Sequence, residues 1–293
     1  MTYASTDGLS VELDSDGVLR LVLDRPTKRN ALDDAMVEAM IDAVDTAGQD
    51  EGVRVVLITG AGDHFCGGFD IVSRNDIVSR NEIVSRNDAV SRNEAVGRNE
   101  PGGKKPRAGS IQRRLPSQAH RLIPLLLTVQ TPVVCAARGW AAGIGLHVLL
   151  AADIAIVADD ARLWEPFSER GFTPDSGGTW LLPRRVGEVR AREMLLLGRA
   201  VDGSTAAEWG LVHHSVPDDQ LEAAAESVVL ELSDAPTVAL GLTKWLMHAG
   251  ASLTLDEHLR NEAFALELSS RTEDFREGLA AFKDKRKPRF QGR

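Results

Sequence analysis

A chain of 293 residues with 43% apolar residues is long enough for one large core, or for a core domain with a small appendage. Its net charge of −9 argues against a general nucleic-acid binder, which needs clustered Lys and Arg, and against an anionic membrane surface. Two cysteines without metal-type spacing, Cys66 and Cys135, argue against a disulfide scaffold and for a reducing, cytoplasmic setting.

The polar, acidic N-terminal stretch is unlike a secretory leader. The segment VLRLVLDRP (18–26) alternates and stops at a proline, which predicts a strand and a turn. Residues 31–48 place Leu32, Met36, Met40, Ala43 and Ala47 on one helical face, with Gly48 as the stop. VRVVLITGAG (53–62) and PVVCAARG (132–139) are short β-branched runs of the kind found in buried parallel strands. The apolar run 140–158 contains His147 and Asp153 and begins with glycines, so it predicts a buried helix leading into the strand IAIVA rather than a bilayer span. Strands alternating with helices predict an α/β fold with a parallel sheet. From about residue 188 the pattern is almost purely helical, with candidate capping boxes at Thr254–Glu257 and Ser270–Glu273.

One stretch does not fit this rhythm. From Asp70 to Asn99 a six-residue unit (DIVSRN and variants) is repeated five times. Six residues rotate a helix by roughly 240°, so the Ile-Val pair forms no stripe. Each acid does precede an arginine by four residues, as in Asp70–Arg74 and Glu82–Arg86, a helix-favouring pair worth about 0.2–0.5 kcal/mol. The repeat predicts a solvated loop insertion without chemistry, or a lid beside an active site.

Several segments follow one another in the order and spacing of the crotonase superfamily, the enoyl-CoA hydratases and isomerases. They are DRPTKRNALDDAM, GAGDHFCGGFDI, PVVCAARGWAAGIGLHVLLAADIAIVADDARLWEPF, GFTPDSGGTWLLPRRVG, AAEWGLV and EDFREGLAAFKDKRKPRF. The chain resembles that superfamily over nearly its whole length apart from the repeat. The resemblance implies a spiral of ββα turns over residues 1–200, a C-terminal helical trimerisation region over 201–293, and homotrimers or hexamers. It also implies acyl-CoA thioester substrates with no metal or redox cofactor.

The device shared by the family is an oxyanion hole. Two backbone N–H groups aimed at one oxygen stabilise the charge of an enolate. The matching positions here are Phe69 and Ile144, with Gly68, Gly143 and Gly145 (and Gly67) allowing close approach. Lys28 and Arg29, in PTKRN, match the CoA-binding loop, as phosphate contacts or as simple solvated charges. Lys283, Lys285 and Arg286 are weaker candidates of that kind.

The two glutamates of family hydratases match His147 and Phe167, so both carboxylates of that pair are absent. PDSGGTWLLPR instead resembles the ring-epoxide phenylacetyl-CoA isomerases and related double-bond isomerases, whose acid/base is the aspartate matching Asp175. One carboxylate suffices to take a proton from one carbon and return it to another. Phe69, Trp140 and Phe167 are expected to wall it off from water. Alternatively Asp175 caps a helix. Glu169 is a further candidate, and Glu165 is expected to start a helix. His147 reads as a hydrogen-bonded core residue, or as the base of a hydratase working with Asp175 or Glu169. A non-catalytic acyl-CoA-binding protein is the reading from another class.

Overall fold

The computed structural model describes residues 1–70, 112–113, 115–117 and 119–293. All of the repeat beyond Asp70 lies outside these residues. Strands β1 (Leu9–Leu13) and β2 (Val18–Leu23) form an antiparallel hairpin. Its turn is tied by Asp14, whose Oδ1 accepts the amides of Asp16 and Val18. Helix α1 (Asp34–Ala47) follows, capped by the Asp33 side chain on the Met36 amide. Its expected apolar face is buried and Gly48 ends it, as the periodicity predicts.

Strands β3 (Val55–Gly60), β4 (Val133–Ala137) and β6 (Ile154–Ala158) are the apolar runs read from the sequence. Together with β9 (His214–Val216) they complete a six-stranded sheet of order β1-β2-β3-β4-β6-β9, parallel from β2 onward. The runs are unbroken because both faces are covered. Leu19, Leu21, Val56, Ile58, Val133 and Cys135 face the main core, shared with α1, α2 (Ala119–Thr128) and α3 (Ile144–Ala151). The alternate residues Val18, Val55, Leu57, Val134, Ala136 and Ile156 pack under α6 (Leu221–Ser233), through Leu221, Ala225 and Val229. Each such buried Val, Leu or Ile side chain contributes about 1.5–3 kcal/mol.

A second, three-stranded sheet joins β5 (Trp140–Ala142), β7 (Arg162–Trp164) and β8 (Val201–Asp202). The chain therefore visits the large sheet, then the small one, then a helix: β4-β5-α3, then β6-β7-α4 (Gly178–Leu197). This is the ββα spiral that the resemblance implies. After α4 the chain is not purely helical, because β8 and β9 each return to a sheet around the short α5 (Gly203–Glu208).

Helices α7 (Thr237–Gly250), α8 (Leu255–Ser269) and α9 (Glu273–Asp284) close the chain. Thr254 and Glu257 form the expected capping box on α8. The second expected box does not form. Ser270 ends α8, and Thr272 caps α9 by accepting the Phe275 amide. Among the described residues no helix is long and apolar enough to cross a membrane.

Candidate active site

Two glycine turns are laid side by side. Residue 66 bridges residue 141 of β5, with the Cys66 amide donating to the Trp140 carbonyl (2.8 Å) and the Ala142 amide to the Cys66 carbonyl (2.9 Å). On the opposite edge, the Gly68 carbonyl accepts the Leu32 amide (2.8 Å) and the Asp70 amide donates to the Leu32 carbonyl (2.7 Å). Gly68 C=O and Phe69 N–H belong to one trans peptide, so they point in opposite directions. The Phe69 N–H is thereby turned away from Leu32.

The second turn opens α3. Gly143 sits at φ 51 and its carbonyl accepts the His147 amide (3.0 Å). The N–H of Ile144, across the same peptide, therefore leaves the helix at its N-terminal end, where no intrahelical acceptor exists. The glycines are sterically required. Gly68 has φ 106, and a Cβ there would lie 3.3 Å from the Ala142 carbonyl oxygen. A Cβ on Gly145 would lie 2.5 Å from that of Cys66. That contact keeps Cys66 sealed beneath α3, and burial pushes its thiol up to about 12. Both cysteines are free and buried.

Behind the second turn the structure assembles a polar group inside the core. His147 and Glu165 are wholly buried, and Ser176 is 4% exposed. Nε2 of His147 lies 2.9 Å from Glu165 Oε1, and Nδ1 lies 2.7 Å from Ser176 Oγ. The Ser176 hydroxyl donates in turn to Asp175 Oδ1 (3.3 Å). The Phe167 ring stacks on the imidazole at 6.0 Å between centroids and 8° between planes, and meets Phe172 edge-on. Asp175 itself is exposed, and its carbonyl accepts from Nε2 of His120 on α2.

Three expectations change here. Glu165 starts no helix. It follows β7 in a short irregular connection to the 3-10 turn Ser168–Arg170, so the regular helical rotation assumed between 165 and 167 does not apply, and its side chain reaches His147. Asp175 caps nothing: the N-cap of α4 is Gly177, with no side-chain bond. The expected apolar wall does not enclose Asp175 either. Phe167 covers His147, Trp140 leans on Trp164 at 5.4 Å, and Phe69 packs against the core. Glu169 lies exposed on the 3-10 turn, beside Gly198 at the end of α4.

The basic loop is only partly as expected. Lys28 is half exposed and pairs with Asp70 at 3.0 Å, and Arg25 joins the same carboxylate at 3.2 Å. Asp70 thus anchors the loop that bears Arg29, whose side chain is exposed and whose carbonyl accepts the Gly67 amide (2.6 Å). Arg286 is engaged by Glu277.

The roles of Glu165, Ser176 and Gly178 were missed in the sequence. A usable signal existed, since His147 stands at one of the family's glutamate positions and Glu165 lies two residues before the other, Phe167. A buried imidazole needs a partner, and Glu165 was the nearest polar residue to position 167 on the N-terminal side.

The sequence profile described as enoyl-CoA hydratase/isomerase matches residues 14–94 and 105–293. The chain is 35% identical over 277 residues to the 1,2-epoxyphenylacetyl-CoA isomerase of Escherichia coli, covering 94% of this chain and 96% of that one. It is 28% identical to the 2,3-dehydroadipyl-CoA hydratase of the same organism, covering 94% and 96%. The crystal structure of an enoyl-CoA hydratase from Bacillus anthracis superposes with a TM-score of 0.81 at 28% identity, over 98% of this chain and 100% of that one. With its ββα spiral and paired glycine turns, the chain belongs to the enoyl-CoA hydratase/isomerase family of the crotonase superfamily.

Proposed function

We propose that this enzyme moves a carbon–carbon double bond in an acyl-CoA thioester, with Asp175 as the single acid/base. The N–H groups of Phe69 and Ile144 hold the thioester oxygen as the α-carbon, or the vinylogous γ-carbon, loses a proton. Asp175 takes that proton and returns it at the other end of the dienolate. No metal or redox group takes part. Lys28 and Arg29 meet the CoA phosphates, and the C-terminal helices, which expose Leu255, Leu259, Phe264 and Phe282, pack in a homotrimer or hexamer.

One observation supports isomerisation over hydration. Asp175 is the carboxylate of this segment that is both open to solvent and hydrogen-bonded to the interior of the site. The hydratase reading needs His147 as the base for a water, but both of its ring nitrogens are engaged by Glu165 and Ser176, and its side chain is sealed. Glu169 lies outside that hydrogen-bonded group.

The test is to present hex-3-enoyl-CoA and crotonyl-CoA separately to the enzyme and follow the conjugated enoyl thioester by its ultraviolet absorbance. Isomerisation predicts a rise with the first substrate and little change with the second. Rapid loss of crotonyl-CoA absorbance would instead establish hydration. Absence of turnover of hex-3-enoyl-CoA and crotonyl-CoA together with absence of exchange of the α- and γ-hydrogens with solvent deuterium would leave only a binding protein.

A further inference from the structure

The hydrogen-bonded row of Glu165, His147 and Ser176 lies behind the second glycine turn, and Gly178 leaves it space, since a Cβ there would lie 2.3 Å from His147 Nε2. The first turn, which carries Phe69, has a different backing. Residues 26–29 of the basic loop are exposed, but the next residue, Asn30, is wholly buried. Its backbone is left-handed at φ 53, and so is that of Arg29 at φ 52. Residues other than glycine adopt that conformation seldom, asparagine more readily than most. Two in succession persist only where the surroundings hold them.

The Asn30 side chain does the holding. Its Oδ1 accepts the Arg25 amide (2.8 Å), and its Nδ2 donates to two carbonyls, those of Ala61 (2.9 Å) and His64 (2.6 Å). Both N–H bonds of the side-chain amide are thus spent on one turn, residues 61–64, which leads from β3 into the segment bearing Phe69. The backbone on either side of Asn30 holds the far end of that segment. The Arg29 carbonyl accepts the Gly67 amide, and Leu32 exchanges bonds with the Gly68 carbonyl and the Asp70 amide. The peptide of Phe69 is therefore placed from both ends by residues 29–32.

We propose that Asn30 is a positioning residue of the oxyanion hole, whose side chain fixes the turn 61–64 and with it the direction of the Phe69 N–H. This rests on the reading of that N–H as a donor to the thioester oxygen. Asn30 acts on substrate only through the Phe69 amide. A hydrogen bond to a developing enolate oxygen gains strength as the charge grows and depends on its direction, so misalignment costs the transition state more than the bound substrate. The loop carrying Lys28 and Arg29 keeps its own bonds without the Asn30 side chain. The amides of Lys28 and Asn30 donate to the Arg25 carbonyl, and the Arg25 guanidinium holds the Ala31 carbonyl, Asp33 and Asp70. The loss is therefore expected in kcat rather than in KM.

The test compares the full-length enzyme with Asn30→Gly and Asn30→Asp. Glycine keeps the left-handed backbone and removes only the side-chain bonds. Aspartate keeps the shape but turns a lone pair toward two carbonyls, and it serves as the test if the glycine variant fails to fold. The readout is the infrared stretch of the thioester carbonyl in bound hexanoyl-CoA labelled there with carbon-13. The wild type should lower this frequency relative to buffer, and each variant should lose about half of the shift, because one of two donors is misaligned. With hex-3-enoyl-CoA, kcat should fall by roughly 10²–10³-fold at little-changed KM. Val229→Ala, in the core beneath α6, is the control for lost stability and should keep both the frequency and kcat.

An Asn30 variant that matches this control, less stable but with the carbonyl shift and kcat retained, would overturn the proposal. A wild-type enzyme that leaves the carbonyl at its solution frequency would instead remove the oxyanion-hole reading itself. The infrared readout needs no turnover, so it holds whether or not the enzyme isomerises hex-3-enoyl-CoA.

Discussion

The two halves of the candidate site are built on opposite terms. Its inner half is sealed, with His147 and Glu165 wholly buried and each hydrogen-bonded to a partner two elements away in the chain. Its outer half, Asp175, Glu169, Lys28 and Arg29, faces solvent. Titratable side chains in the inner half can affect stability strongly, because removing one strands another in a medium that does not solvate it. Those in the outer half are cheap to change structurally, so any large effect there is an effect on chemistry. The site thus separates what holds it from what acts.

Substitutions can break or sharpen that contrast. The largest effect is expected at Asp175→Asn, which should lower kcat for isomerisation by about 10²–10⁴-fold while leaving the melting temperature near wild type, because the side chain is exposed. A parallel fall in stability would erase the distinction between the halves.

Glu165→Ala should do the reverse. Stranding His147 in the core should cost about 3 kcal/mol in denaturant unfolding. A loss below about 0.5 kcal/mol would mean that the pair is solvated. Gly178→Ala is predicted to cost roughly 1–3 kcal/mol, since its new methyl meets a packed imidazole rather than a flexible chain end. Full stability there would show that the row can be displaced without penalty.

Glu169→Ala should change stability by no more than about 0.5 kcal/mol and leave turnover unchanged. Loss of crotonyl-CoA hydration in that variant would revive the hydratase reading. The smallest signal is an absence. Cys66, buried under Gly145 with its thiol pushed up to about 12, should resist alkylation at neutral pH until the protein unfolds.

Much of the fold was legible in the sequence because each piece had a local cause. Unbroken β-branched runs gave the parallel strands, the Met36–Met40 spacing gave α1, and Thr254 with Glu257 gave the start of α8. Short strands without such runs were not readable. β8 has two residues and β9 three, and both owe their pairing to neighbours far away in the chain. Ser270 and Thr272 compete for the same cap within three residues, and pattern alone did not choose between them.

The site divides in the same way. The glycine turns were legible because only glycine fits where two backbones meet. The inner row was not, because it depends on how β7 leaves the small sheet. Read as a helix, the segment 165–167 turns Glu165 away; as the irregular link between β7 and the 3-10 turn, it delivers Glu165 to His147.

The most direct test of the whole account is a crystal structure with a non-hydrolysable acyl-CoA analogue bound. The account predicts the analogue's carbonyl oxygen at about 3 Å from the nitrogens of both Phe69 and Ile144, with an Asp175 oxygen in reach of the α- and γ-carbons. A carbonyl held by neither amide, or an acyl chain running away from Asp175, would contradict it.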